Sequence, residues 1–172
     1  MDNIEYEDGV IYQDGIIIEG DNVYIGVRTK RMSETAKLPT YGSDKAACCD
    51  LYADFRDDSQ VAVAIPPHTT IKVGTGWAFQ PPPQYCGLIF ARSGLATKEG
   101  LRPANCVGVA DEDYRGEYIV ALHNDSSETK YICQGDRIAQ LCFLPYIQAK
   151  FFEVDNLDET ERGAGGFGST GK

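Results

Sequence analysis

The chain has 172 residues, 42% hydrophobic and 24% charged, an ordinary balance for one globular domain able to bury a real core. No run approaches eighteen apolar residues, and MDNIEYEDG has neither the basic nor the apolar region of an export signal. The expectation is a cytoplasmic chain, nuclear if the source is eukaryotic, with no membrane partner. A net charge of −10 has the wrong sign for a nucleic-acid binder. Seven acids and no Lys or Arg lie in residues 1–21, leaving −3 for residues 22–172, so an anionic small substrate remains compatible with local arginines.

Val10–Gln13 and Ile16–Glu19 flank Asp14-Gly15, a two-residue hairpin signal, and Gly20-Asp21-Asn22 precedes a strand expected over Val23–Arg28. Residues 1–21 thus predict an extra hairpin or a flexible acidic arm ahead of a β core at 22–155. Further strands are expected at Cys49–Ala53, Val61–Ile65, Thr70–Val73, Trp77–Gln80, Cys86–Phe90, Cys106–Val109, Tyr118–Leu122, Lys130–Cys133 and Ile138–Leu144. Short strands punctuated by Gly, Pro, Asn and Asp predict an antiparallel sandwich or barrel rather than βαβ units. One short helix is expected over Gly94–Glu99, with Ser93 as N-cap and Gly100 as its stop. Pro81-Pro82-Pro83 predicts an exposed turn. From residue 156 to 172 the chain turns polar and then Gly-rich, which predicts an arm that stays mobile until something binds it.

Six cysteines without an export signal read as buried thiols rather than disulfides. No C-x-x-C occurs and His68 and His123 are the only histidines, so zinc has little support.

Several segments carry chemistry. Gly163-Ala164-Gly165-Gly166-Phe167-Gly168 matches G-x-G-x-x-G, and the tail also resembles most of a Walker A loop, but no helix can follow either. What survives is a run of free backbone N–H groups with Arg162, Ser169 and Thr170, suited to phosphate. Arg92-Ser93-Gly94, at a strand-to-helix turn, is an anion site or a plain capping serine. Asp111-Glu112-Asp113 offers a general base on water, a cation site, or simply a solvated turn. Asp50 follows an apolar run and needs a partner, a metal-bound water being one candidate. Asp136 with Arg137 is as readily a structural pair as a functional one.

Together and in order, AACCDL (46–51), ARSGLATK (91–98), NCVGVADEDYRGE (105–117), GDRIAQL (135–141) and RGAGGFGSTG (162–171) resemble the five motifs of the trimeric dUTPases, from about Val23 to the C-terminus. The resemblance implies an all-β, jelly-roll-like subunit (the β-clip form) in a homotrimer with active sites between subunits. It implies Mg²⁺-dependent hydrolysis of dUTP to dUMP and pyrophosphate, water attacking the α-phosphorus. This would keep uracil out of DNA and supply dUMP for dTMP synthesis. By the same resemblance Asp111 orients and deprotonates the water. Asp50 holds waters on Mg²⁺, with Gln140 near the phosphates and that water shell. Arg92, Ser93 and Gly94 contact the phosphates. Asn105 and the backbone of Gly108, Val109, Ala110 and Asp111 read uracil, and Ile119 belongs to the same substrate-binding set. Tyr114 packs on deoxyribose, Arg162 meets the γ-phosphate, Phe167 covers uracil, and Gly168, Ser169 and Thr170 close over the phosphates. Hydrolysis at phosphorus needs positioning, cations and a base, but no covalent nucleophile. The chain departs from the family pattern at Cys48-Cys49 (commonly Gly-Tyr), Ala91 (commonly Pro), Ala110 (commonly Ile or Val) and in residues 1–21. A dCTP deaminase relative and a nucleotide-sensing module are the rival readings.

Overall fold

The structure, a computed structural model, describes residues 4–7, 10–13, 15–57 and 59–166, with side chains from residue 15 onward. It is all-β, with antiparallel strand pairing throughout. The first sheet is a meander of β1 (Ile4–Glu7), β2 (Val10–Gln13), β3 (Ile16–Glu19) and β4 (Asn22–Ile25). Gln13 pairs with Ile16 across the expected hairpin, and Gly15 takes φ 81° there. The single strand expected over Val23–Arg28 breaks at Gly26-Val27, where the Gly26 N–H turns to the Gly15 carbonyl at 2.6 Å, and β5 (Arg28–Arg31) begins a different pairing.

The remaining strands are β6 (Thr40–Tyr41), β7 (Cys49–Tyr52), β8 (Ala62–Ile65), β9 (Thr70–Gly74), β10 (Trp77–Gln80), β11 (Tyr85–Phe90), β12 (Leu101–Pro103), β13 (Gly108–Ala110), β14 (Ile119–Asn124), β15 (Lys130–Cys133) and β16 (Arg137–Pro145). They form a five-stranded sheet in the order β13-β11-β16-β7-β6, a three-stranded sheet β12-β14-β9, and the pairs β15-β8 and β10-β5. Sequence neighbours are often not sheet neighbours, the crossing connectivity of a jelly-roll-like fold. Alternation along β14 sends Val120, Leu122 and Asn124 inward, while β7 and much of β16 are buried because strands cover both their edges. Leu51, Ile65, Leu101, Tyr118, Leu122, Ile138 and Leu141 are almost fully buried and hold the sheets together. Truncating any of these leucines to Ala costs about 2–5 kcal/mol on the usual scale.

Three sequence expectations change. The strand expected from Cys106 starts at Gly108, because Cys106 sits at φ 63° and the Val107 N–H closes a tight turn onto the Asn105 carbonyl at 2.7 Å. The helix is one wide π-type turn, Leu95–Glu99, stopped as expected by Gly100 at φ 70°. Ser93 is not its cap. The Arg92 carbonyl already accepts from the Ala96 N–H, and the Ser93 carbonyl accepts from the Thr97 hydroxyl at 2.6 Å, so Gly94 in helical conformation takes the cap position. Of the triproline, only Pro83 is exposed: Pro81 and Pro82 are buried, and Pro82 lies so close under Gly15 that an added Cβ there would meet it at 2.5 Å.

Buried and hydrogen-bonded titratable groups give the fold a defined pH window. Tyr118 is pushed up to about 12 by burial, and Tyr146 to about 12 chiefly by its hydrogen bond to Glu112. The folded state therefore holds protons that the unfolded state releases above about pH 10, and stability falls between about pH 10 and 12. The Glu112 carboxyl is held below its ordinary range by the Tyr146 hydroxyl, and Asp125 by Arg102. Their contributions are complete above about pH 4 and are lost as pH falls through the depressed folded values. Urea midpoints across pH should trace this plateau; a midpoint that rises between pH 10 and 12 would contradict it.

Candidate active site

Asp50 lies at the centre of the five-stranded sheet, opposite Gln140 on β16. It is 5% exposed, and two guanidinium groups reach it: Arg92 Nε donates to Oδ1 at 2.9 Å and Arg137 Nη1 to Oδ2 at 3.2 Å. Arg92 leaves the end of β11, whose Phe90 pairs with Gln140, so register delivers Asp50, Gln140 and Arg92 to one place. The partner Asp50 needs is thus a pair of arginines, and the expected Asp136–Arg137 pair is split. Asp136 instead accepts from the Cys133 N–H at 2.7 Å, closing the turn into β16. Neither Cys48 nor Cys49 takes a positive φ, so the first motif does not require the glycine common in the resembled family.

A second cluster forms where β13 meets the loop to β14. Asn105, Gly108, Val109, Ala110, Asp111, Tyr114 and Ile119 line one cavity of about 230 Å³, with Ile89, Glu117 and Tyr118 behind them. Gly108 is needed in that wall: an added Cβ would stand 3.2 Å from Ile89 Cβ and 3.6 Å from Asn105 Nδ2. The three acids of the loop separate into distinct roles. Glu112 Oε2 accepts from the Gln84 N–H and the Tyr146 hydroxyl, both at 2.7 Å, and pins the loop to the sheet. Asp113 is exposed. Asp111 is exposed at the cavity rim, and its carboxylate makes no hydrogen bond or ion pair among the described residues. Tyr114 is half-exposed, anchored by its hydroxyl to the Glu117 carbonyl at 3.1 Å, and its ring covers Gly116 so tightly that a Cβ there would lie 2.4 Å from the phenol oxygen.

Tyr118 and the Glu112 clamp were not legible beforehand. The partners of Glu112 are 28 and 34 residues away, and Tyr118 read only as strand. The Tyr118 hydroxyl is buried without a partner among the described residues, packed against Gly87. Removing an orphaned hydroxyl relieves its desolvation cost, so Tyr118→Phe should raise stability by about 1 kcal/mol. Urea denaturation checks this, and a loss of stability would mean the hydroxyl has a partner.

The two clusters do not meet within one chain. Gly108 and Asp50 sit on strands separated by two others, about 14 Å apart at the ordinary strand spacing. Neither Asp50, Gln140, Arg92 nor Arg137 lines the cavity beside Asp111. Ser93 and Gly94 are exposed beside Arg92, and Ser93 donates no hydrogen bond among the described residues. Arg162 is exposed in the arm, its Nε donating to the Gly165 carbonyl at 2.8 Å, away from both clusters. Phe167, Gly168, Ser169 and Thr170 lie outside the described residues. Among the described residues no three His, Cys, Asp or Glu side chains cluster into a metal cage, and no helix is long and apolar enough to cross a membrane.

Fold and site together define an all-β, jelly-roll-like protein with a small polar-edged cavity and a separate cluster of Asp50 with two arginines. The dUTPase family model matches residues 34–171. A deoxyuridine 5'-triphosphate nucleotidohydrolase of Desulfitobacterium hafniense is 45% identical over 152 residues, 88% of this chain and 98% of its own. One from Nautilia profundicola is 43% identical over 146 residues, 85% of this chain and 99% of its own. Among solved structures, a mutant Staphylococcus bacteriophage 80alpha dUTPase with dUpNHpp is similar at a TM-score of 0.75 and 24% identity, covering 85% of this chain and 98% of that one. A mutant dUTPase from phage phi11 of S. aureus, described as coordinating a structural Mg(II) ion, is similar at a TM-score of 0.68 and 21% identity, covering 77% and 99%. The chain belongs to the dUTPase family.

Proposed function

We propose that the chain is a dUTP diphosphatase that hydrolyses dUTP to dUMP and pyrophosphate by attack of water at the α-phosphorus, keeping uracil out of DNA and supplying dUMP for dTMP synthesis. The observation that carries the reading is the free Asp111 carboxylate at the rim of the cavity, beside Asn105 and Tyr114. Asp111 accepts the proton of the attacking water. Asn105 and the edge of β13 supply hydrogen-bonding groups for a pyrimidine, while the Tyr114 ring, fixed through its hydroxyl, offers a flat wall for the sugar. Arg92 offers its remaining guanidinium N–H to phosphate oxygens, and Ser93, Gly94 and the arm from Arg162 through Thr170 add donors around the triphosphate.

The donor set fits Mg²⁺ only in an outer-shell role. Both Asp50 oxygens face guanidinium groups and no carboxylate cage exists among the described residues, so the protein offers an anion and an amide (Gln140) to metal-bound waters rather than direct ligands. That suits a cation that sheds water reluctantly and takes phosphates as its other ligands. When bound, Mg²⁺ would offset the charge on the triphosphate.

A homotrimer with sites between subunits is supported by the incompleteness of the single chain. The base and the arginine cluster are separated, and the segment between β16 and the arm carries Ile147 (97% exposed), Phe151 (94%) and Phe152 (81%), left open to solvent among the described residues. The test is pyrophosphate release from dUTP, dTTP, dCTP and UTP, each with Mg²⁺ and with chelator. Turnover should be confined to dUTP and lost with chelator. Ammonia from dCTP would move the chain to the deaminases. Tight dUTP binding without pyrophosphate would make it a sensor.

A further inference from the structure

The ladder between β7 and β16 pairs Gln140 with Asp50 and Leu141 with Cys49. Continued one rung past the end of β7, the same register would set Cys142 opposite Cys48, which lies in the bend just before the strand. The Cys142 thiol donates to the carbonyl of Ala47, the residue next to Cys48, at 3.4 Å. Directly opposed residues in an antiparallel pair have Cα atoms about 4.5–5.5 Å apart. A disulfide spans about 4.4–6.8 Å, so neither strand has to move. Both thiols are partly exposed. By strand alternation they share the sheet face of Asp50 and Gln140, whereas Cys49 and Leu141 point into the core.

We propose that Cys48 and Cys142 form a dithiol modification site that closes a cross-strand disulfide when the chain meets a two-electron oxidant of the peroxide class. One thiolate attacks a peroxide oxygen, the O–O bond breaks, hydroxide leaves and a sulfenic acid forms. The second thiolate attacks that sulfur, the S–S bond forms and the sulfenic oxygen leaves as hydroxide. The two thiol protons convert both hydroxides to water.

The other cysteines do not compete for this bond. Cys49 is 6% exposed, donates to the Leu141 carbonyl at 3.5 Å, and burial pushes it up to about 11. Cys86 donates to the Leu144 carbonyl on the far side of β16. Cys106 is exposed in the turn before β13, and Cys133 is exposed on β15, which pairs with β8. A closed disulfide ties the strand carrying Asp50 to the strand carrying Gln140, and its formation does not depend on the function proposed above.

The test treats the full-length protein with hydrogen peroxide, alkylates the remaining thiols and digests with trypsin. Cleavage after Lys45, Arg56, Arg137 and Lys150 leaves Cys48 together with Cys49 on peptide 46–56 and Cys142 alone on peptide 138–150. The expected product is these two peptides linked, about 2 Da below their summed mass and separated by dithiothreitol. The titratable thiols should fall by two from six. Cys48→Ser and Cys142→Ser should each abolish the link, and Cys49→Ser should leave it. A link that survives Cys48→Ser, links only between chains on a non-reducing gel, or oxidation confined to Cys106 and Cys133 would each overturn the proposal. If a serine variant fails to fold, fragmentation of the wild-type linked peptide between residues 48 and 49 decides which sulfur is bonded.

Discussion

Asp111→Asn should lower kcat for dUTP by about 10²–10⁴-fold, the usual contribution of a general base, with little change in KM. At about 1.4 kcal/mol per tenfold, that is about 3–5 kcal/mol of barrier. The substitution keeps shape and polarity and removes only basicity. Because the Asp111 carboxylate has no hydrogen bond or ion pair among the described residues, the urea midpoint should stay at the wild-type value. The clamp on the neighbouring Glu112, through the Gln84 N–H and Tyr146, keeps the loop in place in the variant. Pyrophosphate release at saturating dUTP measures the effect. Retention of more than a tenth of wild-type turnover would remove Asp111 from the role of base.

Arg92→Ala should reduce stability and substrate affinity together. It strips Oδ1 of a carboxylate that is 5% exposed, and it also deletes the Arg92 Nη1 bond to the Arg137 carbonyl at 3.1 Å. Breaking a fully buried pair costs about 3–5 kcal/mol. Here the arginine side chain is 23% exposed and Arg137 still holds Oδ2, so a loss of about 2–3 kcal/mol is expected. Arg92→Lys retains the charge but not the fork geometry, and should fall between the two. In the kinetic assay KM for dUTP should rise by at least about tenfold, since a charge-assisted phosphate contact contributes more than 1.4 kcal/mol. A stability loss with unchanged KM would make Arg92 a counter-ion for Asp50 and nothing more.

Local chemistry carried much of this protein in plain view. The Asp14-Gly15 hairpin, the stop at Gly100 and the many short strands follow from backbone preferences that act within a few residues, and the structure bears them out. The five motifs, read in order, already led to the dUTPase family. Where reading along the chain went astray, a partner distant in sequence had intervened. Pro81 and Pro82 became buried where Gly15 of the N-terminal hairpin lies over Pro82.

The sequence by itself determined the fold class and family, and brought Asp111, Asn105 and Tyr114 under suspicion through one contiguous segment. Only the tertiary structure decided which acid is free and which is a clamp, and that Asp50 is balanced by Arg92 and Arg137 across 42 and 87 residues. It also revealed that Tyr118 lies buried with no partner for its hydroxyl among the described residues. Turn and strand preferences are local free energies, legible in a short window. The state of a carboxylate depends on what strand register brings within about 3 Å of it, and register is set by the packing of the whole sheet.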